Sequence, residues 1–347
     1  MKFARFDGRR TGLVVRTTEG DQVVDVAASA AELGSRTTEV VEAIGSDGRG
    51  SWVPLIERWD DLRASFAALA ERGAASDPRI VRVVLDEVQL EAPMPCERPR
   101  IFAPAGNFAT HIAMANTAAG EELKGANVTY GPTYEENVEI RRAEGPAGFW
   151  IEPDTVVGPE AVIAPPRGTE TFDYEVEGAV ILRKGGRYLE PGDLEIWGQA
   201  VWNDLSLRDW ALELDVFDRG VLNWAFQKNF ESGNAFGPWV CVDEGPDPYR
   251  VRLITRVNGE IRQDARTDDA IFDYDANARY ISRFLTLKPG DILTSGTIHG
   301  TAIEAGRAGP FLRPGDVVEV EVEGVGVLRN HVGAWEQARQ SAGAGSH

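Results

Sequence analysis

Two short apolar runs open the chain, and a helical pattern follows them. The segments GLVVRT (12–17) and QVVDVAA (22–28) are rich in valine and are separated by a turn, which predicts two β-strands. Further along, apolar residues recur at steps of three and four, which predicts a helix from Pro54 to about Gly73. Its apolar face consists of Leu55, Trp59, Leu62, Phe66 and Leu69. We therefore expect a small N-terminal α/β domain over residues 1–95.

A proline-rich stretch and a change of pattern mark the second part of the chain. The stretch EAPMPCERPR (91–100) contains three prolines, which interrupt helices and sheets, so we place a domain boundary there. Beyond it, strand and turn patterns dominate. In VVEVEVEG (317–324), valine alternates with glutamate, which is typical of a strand with one buried and one solvated face. The sequence predicts a mainly β protein with some α (α+β), in which residues 96–335 form the larger domain and residues 336–347 a flexible tail.

Composition excludes several classes of partner. The 55 acidic residues outnumber the 36 Lys and Arg residues, and the net charge of −19 repels nucleic acid and anionic membranes. Cys96 and Cys241 are too few for a disulfide framework or a cysteine-built metal cluster, which favours a reducing compartment. The sequence shows no signal-peptide core and no apolar run of membrane-spanning length. We expect a cytoplasmic protein that binds neither nucleic acid nor membrane.

Acidic residues in two segments are the first candidates for chemistry. In FDYEVEGAVIL, strand periodicity places Asp173, Glu175 and Glu177 on one face. Neighbouring like charges need solvent or a cation between them, so this face is either exposed or binds a metal. In AVWNDLSLRDW, Asp204 could supply a third hard oxygen ligand for Mg²⁺, Mn²⁺ or Ca²⁺. Alternatively, if the following segment is helical, Asp204 forms an ordinary ion pair with Arg208 one turn later.

Three further segments carry candidate side chains. His111 follows a Gly-Asn turn and is either a general base or a structural histidine. Lys228 lies in the aromatic, glycine-rich stretch FQKNFESGNAFGPWV. In SGTIHG, the turn at Gly296 and Thr297 offers backbone N–H and hydroxyl donors. None of these segments identifies a function on its own.

The order and spacing of these segments resemble the fumarylacetoacetate hydrolase superfamily over about residues 98–333. The matching segments are GNFATH, DYEVEGAVIL, WNDLSLRDW, QKNFESGNAFGPWV, VNGEIRQ, LKPGDILTSGTIHG and LRPGDVVEVEVEGVGVLRN. The resemblance implies a mixed β-roll or distorted β-barrel that is usually a homodimer. It also implies a divalent cation, Mg²⁺ or Mn²⁺ with Ca²⁺ as a further option, bound by Glu175, Glu177 and Asp204.

The resemblance further implies a reaction. The expected activity is hydrolysis of a C–C bond in an acylpyruvate or β-diketone substrate, a small anionic oxo acid, with the cation stabilising the enolate that forms. Lys228 would hold the substrate carboxylate. Arg208 would do the same if it is not paired with Asp204. Thr297 and Gly296 would donate to substrate oxygens. His111 would activate the attacking water.

Three departures from the family pattern leave the reaction type open. Many members have a glutamate three residues after the histidine, but here Met114 follows His111 at that spacing and cannot orient an imidazole, so we expect His111 to lack its usual catalytic partner. Glu152 replaces the usual lysine of another segment, and the connection over residues 115–148 is long and polar where relatives place a mobile lid. The alternatives are a tautomerase, decarboxylase or dehydratase of a 2-oxo acid that uses the same metal, and a non-catalytic metabolite-binding protein.

Overall fold

The computed structural model describes residues 1–119, 133–209 and 225–334. The middle of the long connection predicted over residues 115–148 and the whole of the predicted flexible tail (336–347), with His347, lie outside the described residues. Within the described ranges, no helix is long and apolar enough to cross a membrane.

Strands and helices alternate in the N-terminal part of the chain. The strands are β1 (Lys2–Phe6), β2 (Arg10–Thr17), β3 (Gly20–Asp25), β4 (Arg82–Val84) and β5 (Leu90–Glu91). The α-helices are α1 (Val26–Ser29), α2 (Thr37–Ile44), α3 (Val53–Glu57) and α4 (Trp59–Ala74). Short 3-10 helices cover Ala30–Arg36 and Leu85–Glu87.

Two boundaries predicted in this part were wrong. The strand predicted to reach residue 28 ends at Asp25. The Asp25 side chain accepts a hydrogen bond from the Ala28 N–H and so caps the N-terminus of helix α1. The single helix predicted from Pro54 is two helices, α3 and α4, because the backbone leaves the helical region at Arg58 (φ −103°, ψ 19°). The predicted apolar face is nevertheless buried at Leu55, Trp59, Leu62, Phe66 and Leu69.

The rest of the chain is mainly strand. The strands are β6 (Ile101–Pro104), β7 (Gly148–Ile151), β8 (Val156–Val157), β9 (Val162–Ile163), β10 (Phe172–Asp173), β11 (Val176–Leu182), β12 (Ile196–Asp204), β13 (Ser206–Leu207), β14 (Asn234–Val242), β15 (Arg252–Val257), β16 (Glu260–Arg266), β17 (Ile292–Thr294), β18 (Val317–Val322) and β19 (Gly326–Val332). The helices are α5 (Ala109–Ala119), α6 (Tyr134–Glu144) and α7 (Tyr274–Ser282), with 3-10 helices at Pro153–Thr155, Thr267–Asp269 and Ala302–Ala308.

The described strands form three sheets. The largest has the order β4-β3-β2-β1-β14-β12-β11-β17-β6-β7, with β5 added beside β1 and β8 beside β14. A second has the order β16-β15-β18-β19-β9, and β10 pairs with β13 in the third. Among the described strands no sheet closes into a barrel. The prediction of a mixed fold, mostly sheet with some helix, is confirmed.

The N-terminal part and the body share one sheet and one core. Strand β1 pairs antiparallel with β14, so Lys2 lies opposite Cys241. Phe3 packs against aromatic rings from both parts, with its ring centroid 5.7 Å from that of Trp59 and 5.4 Å from that of Trp197. Aromatic pairs at such distances stabilise a core by about 0.5–1.5 kcal/mol each beyond the area they bury. The division at residue 95 stays a prediction.

A second core lies between the large sheet and the five-stranded sheet. In β18, Val318, Val320 and Val322 are buried as predicted, while Glu319 and Glu321 are only partly covered. Strand β11 lies at the centre of the large sheet, with β12 on one side and β17 on the other, and its first residue, Val176, belongs to this core. The polar residues of the candidate site project from the adjoining ends of β11 and β12.

Candidate metal and base site

Three acidic side chains meet where β11 begins and β12 ends. Glu177 lies in β11, Glu175 precedes that strand, and Asp204 is the last residue of β12. The Asp204 N–H donates to the Glu175 carbonyl at 2.9 Å, which aligns the two chain segments. One carboxylate oxygen from each residue lies within 4.8 Å of the others, and all three side chains are buried. The structure therefore brings together the three residues predicted as metal ligands.

Asp173, which the sequence pattern placed on the same strand face, lies apart from this triad. The predicted continuous strand is interrupted at residues 174 and 175: β10 ends at Asp173 and pairs with β13, and β11 starts only at Val176. The Asp173 carboxylate is fully buried and accepts hydrogen bonds from the backbone N–H groups of Ala302 and Ile303. Asp173 therefore lies outside the triad and supports the neighbouring backbone at residues 302 and 303.

Two buried cations contact the acidic residues. Lys228 Nζ lies 2.6 Å from Glu175 Oε2 and 2.8 Å from Asp204 Oδ2. Arg208 donates through Nη2 to Glu175 and through Nε to Asp173 Oδ2 at 3.0 Å. The helical Asp204–Arg208 pair was the wrong alternative, because the residues after Asp204 form the short strand β13 and turn Arg208 toward Asp173 and Glu175.

The charges of this cluster do not balance. Four carboxylates face two cations, Lys228 and Arg208, which leaves two negative charges in a buried region. Burial, with the neighbouring carboxylates of Asp204 and Glu175, raises the pKa of Glu177 well above its usual value. Burial also raises the pKa of Asp204 to about 6. At Glu175 the effect of burial is outweighed by Lys228 and Arg208, which lower its pKa to about 2.

These residues fit a divalent cation. Asp204 Oδ1 is buried and has no hydrogen-bond partner in the described part of the chain, so it has a free lone pair for a ligand. Carboxylate oxygens are the hard ligands that Mg²⁺, Mn²⁺ and Ca²⁺ prefer. A charge of +2 beside the triad would also neutralise the excess negative charge of the cluster. Glu175, Glu177 and Asp204 are thus a candidate divalent metal site.

A histidine–carboxylate pair lies beside the triad. His111 is in the first turn of α5, and its Nδ1 lies 2.6 Å from Glu304 Oε1. The second oxygen of Glu304 accepts from the Gly300 N–H at 2.8 Å, and the Thr301 hydroxyl donates to Oε1 at 3.2 Å. The 3-10 helix that carries Glu304 donates from the N–H groups of Ala302 and Ile303 to the Asp173 carboxylate, two residues before Glu175. The pair therefore stands next to the candidate metal site.

Glu304 is the functional candidate that the sequence analysis missed. The expectation that Met114 leaves His111 without a partner was wrong, because the partner comes from the 3-10 helix Ala302–Ala308 and Met114 is 44% exposed. Glu304 lies 193 residues from His111 in the sequence. The available signal was its position four residues after Gly300 of the SGTIHG turn, in a stretch with no other acidic residue before Asp316.

The two predicted substrate donors of this turn contact the protein itself. The Gly296 N–H donates to Glu177 Oε2 at 3.0 Å. The Thr297 hydroxyl donates to the Val176 carbonyl at 3.1 Å and accepts from Gln263 Nε2 at 3.0 Å. Gly296 has φ +75°, and a Cβ there would lie 2.9 Å from the Cβ of Asn107, so the turn requires glycine. Both donors therefore support β11 and its glutamates.

Strand β7 lies beside Lys228. The ring of Phe149 lies 5.6 Å from Lys228 Nζ, measured to the ring centroid. Glu152, which replaces the family lysine, is half exposed and forms an ion pair with Arg98. Its backbone N–H donates to Asn229 Oδ1 at 2.6 Å, which attaches the strand end to the segment that carries Lys228.

Residues 100–333 match the protein family described as fumarylacetoacetate (FAA) hydrolase C-terminal. The chain belongs to the fumarylacetoacetate hydrolase family. Oxaloacetate tautomerase FAHD2A, mitochondrial, of Bos taurus is 35% identical over 203 residues, which cover 57% of this chain and 62% of that protein. Oxaloacetate tautomerase Fahd2a, mitochondrial, of Rattus norvegicus is 36% identical over 203 residues, covering 57% and 61%. The chain thus matches less than two thirds of the length of these relatives.

Solved structures of the fumarylacetoacetate hydrolase family share the fold. A 5-carboxymethyl-2-hydroxymuconate delta-isomerase from Mycobacterium smegmatis is 25% identical with a TM-score of 0.55, covering 73% of this chain and 83% of that one. Maleylpyruvate hydrolase from Sphingobium sp. SYK-6, in complex with manganese (II) ion and pyruvate, is 23% identical with a TM-score of 0.65, covering 96% and 99%. The family is one of enzymes, and this chain is a member. The expected homodimer and cytoplasmic location stay predictions.

Proposed function

We propose that the chain is a divalent-metal-dependent hydrolase that cleaves a C–C bond beside a carbonyl group in an acylpyruvate or β-diketone type of oxo acid. The observation that carries the proposal is the 2.6 Å contact between His111 and Glu304, next to the buried triad of carboxylates. A hydrolase of this kind needs a base for water and a positive centre for the substrate carbonyls, and the chain has residues for both.

The His111–Glu304 contact supports the role of His111 as the base. A carboxylate oxygen only accepts, so Nδ1 of His111 carries the proton in this pair. Nε2 is then the unprotonated nitrogen and can take a proton from a water molecule. Glu304 stabilises the imidazolium that results and holds the ring in one orientation through its own contacts with Gly300 and Thr301.

The acidic triad would hold the metal. When bound there by Glu175, Glu177 and Asp204, a divalent cation supplies Lewis acidity toward the oxygens of a 2-oxo acid. Arg208 and Lys228 each bind one oxygen of Glu175 and so fix the orientation of that carboxylate. The manganese and pyruvate in maleylpyruvate hydrolase, which shares the fold, support this assignment and the class of substrate.

A tautomerase of an oxaloacetate-type 2-oxo acid is the second candidate. Two relatives with 35% and 36% identity are named oxaloacetate tautomerases. Enol–keto interconversion also needs a positive centre beside the oxo acid and a group that moves a proton, and His111 is the candidate for that group. It breaks no C–C bond, so the products separate the two candidates.

The decisive experiment is a substrate panel followed by NMR. Acylpyruvates, β-diketones and oxaloacetate are incubated with the protein and Mg²⁺ or Mn²⁺, and carbon-labelled products are identified. A hydrolase releases two fragments, whereas a tautomerase accelerates enol–keto exchange and leaves the carbon skeleton intact. We expect calorimetry to show a single Mn²⁺ site per chain in the wild type, and both this site and the activity should disappear in Glu175→Ala. Retained Mn²⁺ binding in that variant contradicts the assignment of the triad.

A further inference from the structure

The side chain of Gln263 forms hydrogen bonds at the start of the strand that carries the candidate metal ligands. Gln263, in β16, is fully buried. Its Oε1 accepts from the Val176 N–H at 3.1 Å and from the Thr255 hydroxyl at 2.7 Å. Its Nε2 donates to Thr297 Oγ1 at 3.0 Å and to the Ile298 carbonyl at 2.9 Å. The amide uses both donors and both lone pairs of its oxygen.

These bonds take the place of a missing strand. On one side, β11 pairs with β12 from Val176 onward. On the other side, β17 pairs with β11 only from Ala179 to Ile181. The Val176 peptide groups face this shorter side, where Gln263 accepts from its N–H and the Thr297 hydroxyl donates to its carbonyl. Without them, buried backbone groups would have no partner, which is strongly unfavourable.

We propose that Gln263 is a positioning residue for the divalent cation site. Val176 is the residue between Glu175 and Glu177, so the orientation of its two peptide groups sets the separation of the two carboxylates. Gln263 belongs to the five-stranded sheet and fixes these groups relative to Thr297. It contacts neither carboxylate, so its influence on the metal is indirect. The inference rests on the proposed metal site.

The test compares Gln263→Leu with Gln199→Leu. Gln199 lies in β12, five residues before Asp204, and is 9% exposed. Its side chain donates to the Pro246 carbonyl at 2.7 Å. Mn²⁺ affinity is measured by calorimetry and the melting temperature by scanning calorimetry. We expect Gln263→Leu to bind Mn²⁺ at least about tenfold more weakly, because Val176 loses its acceptor, while Gln199→Leu binds as the wild type does even where its melting temperature falls.

A second variant, Thr297→Val, tests the same proposal if Gln263→Leu does not fold. Thr297→Val preserves shape and removes the hydroxyl that donates to the Val176 carbonyl and accepts from Gln263 Nε2, so it should also weaken Mn²⁺ binding. The proposal is overturned if folded Gln263→Leu binds Mn²⁺ as tightly as the wild type. If Gln263→Leu does not fold, unchanged Mn²⁺ affinity in Thr297→Val overturns it. An equal loss of Mn²⁺ affinity in Gln199→Leu also overturns it. Failure of the wild type to bind Mn²⁺ is a different result, because it overturns the metal-dependent function itself and this inference with it.

Discussion

Replacing Glu304 with glutamine isolates the contact between His111 and its carboxylate partner. The amide has nearly the same shape, and its oxygen can still accept from the Gly300 N–H. Its NH₂ group would then face His111 Nδ1, which is 2.6 Å from a carboxylate oxygen in the wild type. An amide donor stabilises the tautomer with the proton on Nε2, and that tautomer cannot take a proton from water at Nε2.

The size of the effect follows from the bond that is lost. A hydrogen bond to a charged group contributes about 1.5–3 kcal/mol, and about 1.36 kcal/mol corresponds to a factor of ten. Loss of the His111–Glu304 bond alone therefore lowers kcat by about tenfold to 150-fold. The unfavourable tautomer adds to this, so we expect a loss of about a hundredfold or more, within the usual contribution of a general base. Mn²⁺ affinity should not change, because Glu304 is outside the triad.

A matched control exists on the surface of the protein. His331 Nε2 lies 2.9 Å from Glu160 Oε2, and both side chains are about half exposed. Glu160→Gln makes the same chemical change in a histidine–glutamate pair outside the site and should leave kcat as in the wild type. The assay follows loss of enol absorbance under saturating substrate and Mn²⁺. If Glu304→Gln and Glu160→Gln turn over equally fast, the pair at His111 has no part in the reaction.

Two further predictions concern the metal and the residue after His111. Burial raises the pKa of Glu177 well above its usual value and that of Asp204 to about 6, so protons compete with the cation for these carboxylates. Mn²⁺ affinity should therefore rise between pH 5.5 and pH 7.5, and calorimetry should show that binding releases protons. Equal affinity at both pH values would contradict this protonation. Met114→Glu should give no increase in hydrolytic rate, since His111 already has a carboxylate partner and residue 114 is 44% exposed. A clear increase would show that the existing partner does not serve the base.

Two of the three candidate metal ligands could be placed together from the sequence, because the spacing of Glu175 and Glu177 depends on local periodicity, whereas Asp204 comes from another strand. Glu175 and Glu177 are two residues apart, and an extended backbone places such residues on one face whatever the rest of the chain does. The valines of β18 were predicted for the same reason. What periodicity did not show is the interruption at Tyr174 and Glu175, because pairing with β13 on one side and β12 on the other decides where each strand ends.

The partners of the charged residues could not be predicted, because each lies on a different element. The sequence placed Lys228 and Arg208 at the substrate, but the structure pairs both with Glu175. The sequence around Lys228 and Arg208 marks them as candidate functional cations, yet only the topology shows which carboxylate neutralises each of them. Glu304 is the extreme case, since a contact across 193 residues leaves no local pattern.

Asp173 connects the two parts of the site. Its Oδ2 accepts from Arg208 Nε at 3.0 Å, and Arg208 in turn binds Glu175. The same carboxylate accepts from the N–H groups of Ala302 and Ile303, at the start of the 3-10 helix that carries the partner of the base. A buried carboxylate with this many donors is strongly held, because removal of one partner of a buried ion pair destabilises a protein by about 3–5 kcal/mol. Glu175 and the helix that carries Glu304 are therefore both fixed to Asp173, which explains how the candidate metal ligand and the partner of the candidate base keep one geometry although they come from distant segments.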